Sequence, residues 1–188
     1  MTVPFSDRLC IEFHGNVSCN TICLGDLNND GCHELCVGNS MGQLSIFKDF
    51  STDPWLRKEK LGHIVALTCG DLFNQGRNVL LVITAEGLCR VFDFQGEHME
   101  ESDMKNQSLF NPCFMQRLPP NVKQAQIGDV NGDGLNELIV TLTDRVVRTY
   151  LWRQTKDRYQ GGKGIHTHTS YLPSATNHSR YTLQRASW

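Results

Sequence analysis

Two stretches of the chain carry oxygen side chains at a spacing that suits a hard cation. The first supplies Asp26, Asn28, Asp30, Gly31 and Glu34, at positions 1, 3, 5, 6 and 9 of a loop. The second supplies Asp129, Asn131, Asp133, Gly134 and Glu137 in the same register. Alternate side chains of a tight loop can converge, the glycine permits the sharp turn, and the main-chain carbonyl at position 7 (Cys32 or Leu135) can add a ligand. Ca2+ takes about 6–8 oxygens at about 2.3–2.6 Å, so each set plus water suffices, with Mg2+ held more weakly. An acid at position 9 separates these loops from EF-hands, whose acidic closer comes later and whose flanks are helices. The same residues also make good turns with no ion, because Asp closes an Asx-turn on its own backbone. Both readings stay open, and neither requires a cofactor.

A third loop keeps the frame and loses the oxygens. After Asp71, positions 3, 5 and 9 are Phe73, Gln75 and Val79, so no metal is expected there. The three loops lie in repeats, Leu24–Gly38, Cys69–Val82 and Ile127–Val140, whose Asp anchors are 45 and 58 residues apart. The longer step holds an acidic stretch, Gln95 to Asn111, read as an insertion. A period near 45 with short, β-rich apolar runs predicts propeller blades, not helical repeats.

Each repeat reads as strand, polar loop, strand, turn, strand. The strands are predicted near Thr21–Gly25, Glu34–Gly38 and Gln43–Lys48; His63–Gly70, Asn78–Thr84 and Leu88–Phe94; Val122–Gly128, Asn136–Thr143 and Arg145–Trp152. Outer strands fit Trp55–Leu61 and Cys113–Leu118, and an N-terminal strand fits Leu9–Phe13. The expected architecture is all-β: a partial, unclosed β-propeller of about three blades over residues 1–152, with blades near 20–61, 63–118 and 122–152. Residues 153–188 are expected to be a basic, disordered, divergent tail, the mark of a shortened product of a longer chain. Three blades leave strand edges open, and open edges promote association.

The 188 residues carry a net charge of −2, split as −7 before Arg153 and +5 from Arg153 onward. That balance argues against a nucleic-acid partner. No apolar run approaches a membrane span, and the first residues lack the pattern of a signal peptide. The expectation is therefore a cytoplasmic protein with no direct membrane insertion and reduced thiols. Of eight Cys, four (Cys23, Cys36, Cys69, Cys89) sit in apolar runs and read as buried packing. Two zinc knuckles, Cys19-x3-Cys23 and Cys32-x3-Cys36, are the sharper alternative, but residues four apart on a strand lie more than about 10 Å from each other.

The Asp-x-Asn-x-Asp-Gly-x-x-Glu loops between short strands resemble the FG-GAP repeats of integrin α-subunit propellers. The runs Ile22–Gly38, Gly42–Phe47, Pro54-Trp55-Leu56 and Leu80–Phe94 are similar, more closely, to the integrin-α FG-GAP repeat-containing family found in the KICSTOR complex. The likeness covers about Leu9 to Trp152. It implies an FG-GAP-type propeller and a non-enzymatic scaffold subunit. Its partners would be other KICSTOR subunits and GATOR1 at the lysosomal membrane surface, where the complex restrains TORC1 signalling when amino acids are scarce. An integrin-like, Ca2+-dependent ligand-binding propeller is the alternative. An enzyme is disfavoured by the lack of a nucleophile elbow, a His-Glu-x-x-His helix or a phosphate loop; Gly161–Gly164 has neither the spacing nor a flanking strand.

Overall fold

The computed structural model describes residues 10–49, 51–94, 111–154 and 181–185. These form three four-stranded antiparallel sheets and no α-helix among the described residues. Blade 1 contains β1 (Ile22–Gly25), β2 (Glu34–Gly38), β3 (Leu44–Phe47) and β4 (Leu56–Lys58). Blade 2 contains β5 (Ile64–Gly70), β6 (Val79–Thr84), β7 (Leu88–Phe92) and β8 (Phe114–Arg117). Blade 3 contains β9 (Val122–Gly128), β10 (Glu137–Leu142), β11 (Val147–Gln154) and β12 (Tyr181–Arg185). The innermost strands β1, β5 and β9 lie side by side, so the blades stack in sequence, and the described residues close no ring.

Burial follows the stacking. All six residues of β6 are buried, because blade 2 is covered on both faces. Side chains alternate along a strand, so Leu80 and Val82 enter the cluster shared with blade 1. Val79, Leu81 and Ile83 enter the cluster shared with blade 3. β9, at the end of the stack, buries only Val122 and Ala125.

Two glycines set the blade-to-blade crossings. Gly42 and Gly87 end the second-to-third-strand turns at φ 81° and 79°, a region that L side chains avoid. A Cβ on Gly42 would stand 2.7 Å from the Gly62 nitrogen. One on Gly87 would overlap the Leu118 carbonyl. The carbonyls of both glycines accept the amides of the buried leucines that follow the outer strands, Leu61 at 3.0 Å and Leu118 at 2.7 Å.

Two expectations need correction. Residues 10–13 form no strand, and Leu9 lies outside the described residues. Phe13 instead packs edge-on against Phe47, with ring centroids 6.1 Å apart. The following segment is tied to the β2–β3 turn: Asn39 Nδ2 donates to the His14 carbonyl at 2.8 Å, and the Ser40 amide to the Asn16 carbonyl at 2.9 Å. These bonds tie the His14 and Asn16 carbonyls to that turn, and residues 10–13 pair with no strand among the described residues. Second, β11 runs past residue 152, and the stretch expected to be a separate tail supplies β12, which pairs with it from Tyr150↔Arg185 to Gln154↔Tyr181. An eight-residue strand left at the edge would expose a full row of unpaired main-chain groups, and β12 covers its last five residues. The insertion over 95–110, Gly161–Gly164 and the tail histidines His166 and His168 lie outside the described residues.

Candidate functional site: the Gly-Asp loops and blade interfaces

Each loop leaves its innermost strand through Gly-Asp and returns as the second strand. In the first loop the Asp26 carboxylate accepts the Asp30 and Gly31 amides, both at 2.9 Å. Asn28 Oδ1 accepts the Asp30 amide, and Asp30 Oδ1 accepts the Cys32 amide at 2.8 Å. Glu34 is 1% exposed, and its Oε2 accepts the amide of the buried Leu27 at 2.8 Å. The third loop repeats this. Asp129 accepts Gly132 and Gly134 amides, Asp133 accepts Leu135, and the 3%-exposed Glu137 accepts Val130 at 3.0 Å. Asn131 bridges to Asp133 through its amide nitrogen at 2.9 Å. In the second loop, Asp71 alone closes the turn on the Gln75 and Gly76 amides.

The loops differ in what faces their carboxylates. Lys48 follows β3 directly and puts its ammonium 3.3 Å from Glu34 Oε1 and 3.5 Å from Asp30 Oδ2. It also lies 4.1 Å from the centre of the Trp55 ring. The first loop thus carries its own cation, and an added ion would have to displace it. In blade 3 the strand partner of Glu137 is Leu151, which brings no charge. Among the described residues no three His, Cys, Asp or Glu side chains form a ready cage for a metal. As arranged, the donors fit their own amides, and a cation would have to turn them outward.

Amide hydrogen bonds from Gly134, and less so from Gly132, hold the Asp129 carboxyl below the ordinary value of 3.8. Hydrogen bonds from Asn28 and the Cys32 amide do the same for Asp30. For a depressed carboxyl, the stabilisation is present above the unfolded-state pKa and lost as pH falls through the folded one. The urea midpoint of Asp129→Asn is therefore expected below that of the parent at neutral pH, with the gap closing in acid. A gap independent of pH would refute this.

A second device, invisible in the motif, joins neighbouring loops. Position 4 of the first two loops is an asparagine in the left-handed region, Asn29 at φ 58° and Asn74 at φ 56°. Asn29 Oδ1 accepts the Asn78 amide at 2.8 Å while its Nδ2 reaches the Asn78 carbonyl. Asn74 does the same to Asn136, at 2.6 and 3.1 Å. In return, Asn78 Nδ2 donates to the Asp26 carbonyl and Asn136 Nδ2 to the Asp71 carbonyl. A reciprocal carboxamide clamp thus fastens position 4 of each blade to position 8 of the next. Asn74→Ala removes two of these bonds and strains the left-handed turn, so it should cost about 2 kcal/mol. Asn74→Gly, which keeps the turn, should cost less; equal urea midpoints for both variants and the parent would contradict the clamp.

The glycine before each Asp serves the same interface. A Cβ on Gly25 would overlap the Cys69 side chain of blade 2, and one on Gly70 would stand 3.1 Å from Ile127 of blade 3. Phe73, standing where the metal pattern has an oxygen, packs on Trp152 of blade 3 with ring centroids 4.5 Å apart. Sequence reading missed the clamp, although Asn at position 4 and again at position 8 was a visible signal.

Five thiols are packing groups: Cys36 and Cys89 lie in the two clusters, and Cys23, Cys69 and Cys113 pack against them. Cys23 and Cys36 face each other across β1 and β2. The Cys36 thiol is pushed well up by its hydrogen bond to Cys23 and by burial. Burial pushes Cys69 and Cys89 up to about 12. Cys19 and Cys32, the first cysteine of each zinc-like spacing, are exposed. A cleft of about 350 Å3 lies beside the 3-10 turn Cys19–Thr21, between Ser18, His63 and Lys123. Asn20 of that turn bonds the Lys123 carbonyl across the inner strands. His14, His33 and His63 stand in separate segments.

Comparison with known proteins agrees with this architecture. The family described as integrin-alpha FG-GAP repeat-containing protein 2 matches residues 48–169. The mouse KICSTOR complex protein ITFG2 is 35% identical over 156 residues, which is 81% of this chain and 35% of the mouse protein. The bovine protein of the same name is 36% identical over 155 residues, 80% of this chain and 29% of the relative. The chain thus spans about a third of the length of these curated relatives. Among solved structures, BBS1N from a complex with ARL6DN superposes with a TM-score of 0.52 at 15% identity, over 76% of this chain and 42% of that one. That likeness speaks for the fold alone.

Proposed function

The chain belongs to the integrin-alpha FG-GAP repeat-containing protein 2 family, and from that premise we propose that it acts as a non-enzymatic scaffold subunit of the KICSTOR type. Its partners are other KICSTOR subunits and, through them, GATOR1. Its place of action is the cytoplasmic surface of the lysosome, where the assembly restrains TORC1 when amino acids are scarce. No helix among the described residues is long and apolar enough to cross a membrane, so attachment there would come from partners.

One observation carries the reading. The polar groups of the loops bind main chain and neighbouring blades, in a family whose relatives are named for the complex. Groups engaged in this way build a rigid surface and leave none poised for proton or acyl transfer. The test is quantitative co-purification of the tagged full chain, side by side with the mouse relative. Enrichment of KICSTOR subunits and GATOR1 above an unrelated propeller is expected. Recovery of those subunits by the relative and not by this chain would overturn the proposal.

A second reading, Ca2+-dependent ligand binding, is favoured by one feature: the third loop buries Glu137 with no lysine across the strand. Asp129, Asn131, Asp133 and Glu137 would be its ligands. Any Ca2+ or Mg2+ heat in calorimetry should vanish in Asp129→Ala and survive in Asp26→Ala, because Lys48 already faces the first loop. Identical titrations for parent and Asp129→Ala would remove the ion from the account.

A further inference from the structure

The inner strands of blades 2 and 3 share an irregularity. In β5 the ladder runs Ile64↔Thr84 and then Ala66↔Ile83, so Val65 is an extra residue. In β9 it runs Val122↔Leu142 and then Gln124↔Thr141, so Lys123 is the extra one. Both stand five residues before the glycine of their Gly-Asp loop. A bulge takes its residue out of the ladder and re-aims the side chain, and bulges gather beside functional sites. Here both extra residues line the same cleft of about 350 Å3, a size within the range of ligand pockets. Asn20, at the matching place in blade 1, lies in the 3-10 turn and donates its Nδ2 to the Lys123 carbonyl at 3.0 Å. That bond holds the entry segment against the inner strands, where it forms one wall of the cleft.

The lining has two characters. Val17, Ile64, Val65 and Val122 give it an apolar wall, with Ile64 and Val122 buried and the two other valines half-buried. Lys123 and His63 are exposed, and neither side chain has an ion-pair or hydrogen-bond partner among the described residues. No described carboxylate lines the cleft, although the chain is −7 before Arg153. A purely apolar occupant would leave both basic groups without a counter-charge. A small anion would leave the apolar wall in water. We propose that the cleft binds an extended segment of a partner protein in which a carboxylate side chain follows a leucine-sized apolar one. The apolar side chain lies on the valine wall, and the carboxylate meets Lys123 and His63.

The test titrates the full-length 15N-labelled chain with the peptide acetyl-Ser-Gly-Leu-Glu-Gly-Ser-amide. Two analogues, with glutamine for the glutamate and with glycine for the leucine, and the small anion succinate are titrated beside it. The acidic peptide should shift the amides of Val65, Lys123 and Thr143, and each analogue should bind about fivefold more weakly. Lys123→Glu loses an attraction and gains a repulsion. It should weaken the acidic peptide about tenfold and bind a lysine-for-glutamate analogue more tightly than the parent does. Protection of the Ala85 amide, which donates to the His63 carbonyl at 2.8 Å, reports that blade 2 keeps its fold in the variant.

Three results would overturn the proposal. The first is no shift of these amides at about 1 mM peptide. The second is equal binding of the glutamate and glutamine peptides, which would take the basic groups out of recognition. The third is succinate moving the same amides as strongly as the peptide, which would leave a site for small anions alone. The titration contains no other protein, so its failure and a failed co-purification with KICSTOR subunits are separate outcomes.

Discussion

Leu81→Ala is expected to lower the unfolding free energy by about 3 kcal/mol, and Leu80→Ala by about as much, yet the two variants should loosen opposite ends of the molecule. Both side chains are fully buried on β6, the second strand of the central blade. Truncating a buried leucine loses its transfer free energy and leaves a cavity that relaxes only in part, which is why such changes cost about 2–5 kcal/mol. The two residues are chain neighbours, so the pleat sends them to opposite faces. Leu80 packs with Ile46, Ile64 and Phe92 toward blade 1, and Leu81 with Val91, Leu138 and Val140 toward blade 3. Native-state hydrogen exchange should show faster opening of β1–β3 in Leu80→Ala and of β9–β11 in Leu81→Ala. If both variants open the same blades, blade 2 is not the two-faced spine assigned to it.

The second large effect concerns Glu34. Glu34→Ala is expected to cost about 3 kcal/mol, because the amide of buried Leu27 loses its only described acceptor and Lys48 loses its buried counter-charge. Lys48→Met should cost less, about 2 kcal/mol. The carboxylate stays buried, but Lys48 is 23% exposed, so water can reach part of the space it leaves. Adding Glu34→Gln to Lys48→Met removes the stranded charge and keeps an acceptor for Leu27. The double variant should therefore be more stable than Lys48→Met alone, a coupling that a double-mutant cycle in urea measures directly. Strict additivity would mean that the ammonium and the carboxylate do not depend on each other. Glu137→Ala in blade 3, which has the amide bond but no lysine, is the natural control.

Much of the architecture was legible in the chain. Glu34–Gly38 and Val122–Gly128 are strands with the bounds their apolar runs suggest, and the outer strands lie inside Trp55–Leu61 and Cys113–Leu118. These features are local. A strand needs alternation over four to eight residues, and a Gly-Asp turn needs one residue tolerant of positive φ with an oxygen a few positions away. The boundaries that moved lie where a neighbour decides: Thr21 closes a 3-10 turn on Ser18 instead of starting β1.

The candidate site was legible only in part, for the same reason. The spacing Asp26, Asn28, Asp30, Glu34 marks a loop whose oxygens converge, and it repeats at Asp129. Whether those oxygens face an ion, an ammonium or the loop's own amides depends on groups remote in sequence. Lys48 reaches the first loop only because β3 pairs with β2 in a register that sets it beside Glu34, whereas the equivalent place in blade 3 is Leu151. Asn29 and Asn78 are 49 residues apart, Asn74 and Asn136 62 apart.

The chain by itself thus determined the blades, their order and the turn chemistry between them, since each follows from side-chain alternation and backbone freedom within a few residues. Only the tertiary structure decided what the loops hold and which residues lock blade to blade. Those outcomes depend on strand register and on the offset between stacked sheets, neither of which any short stretch of sequence encodes.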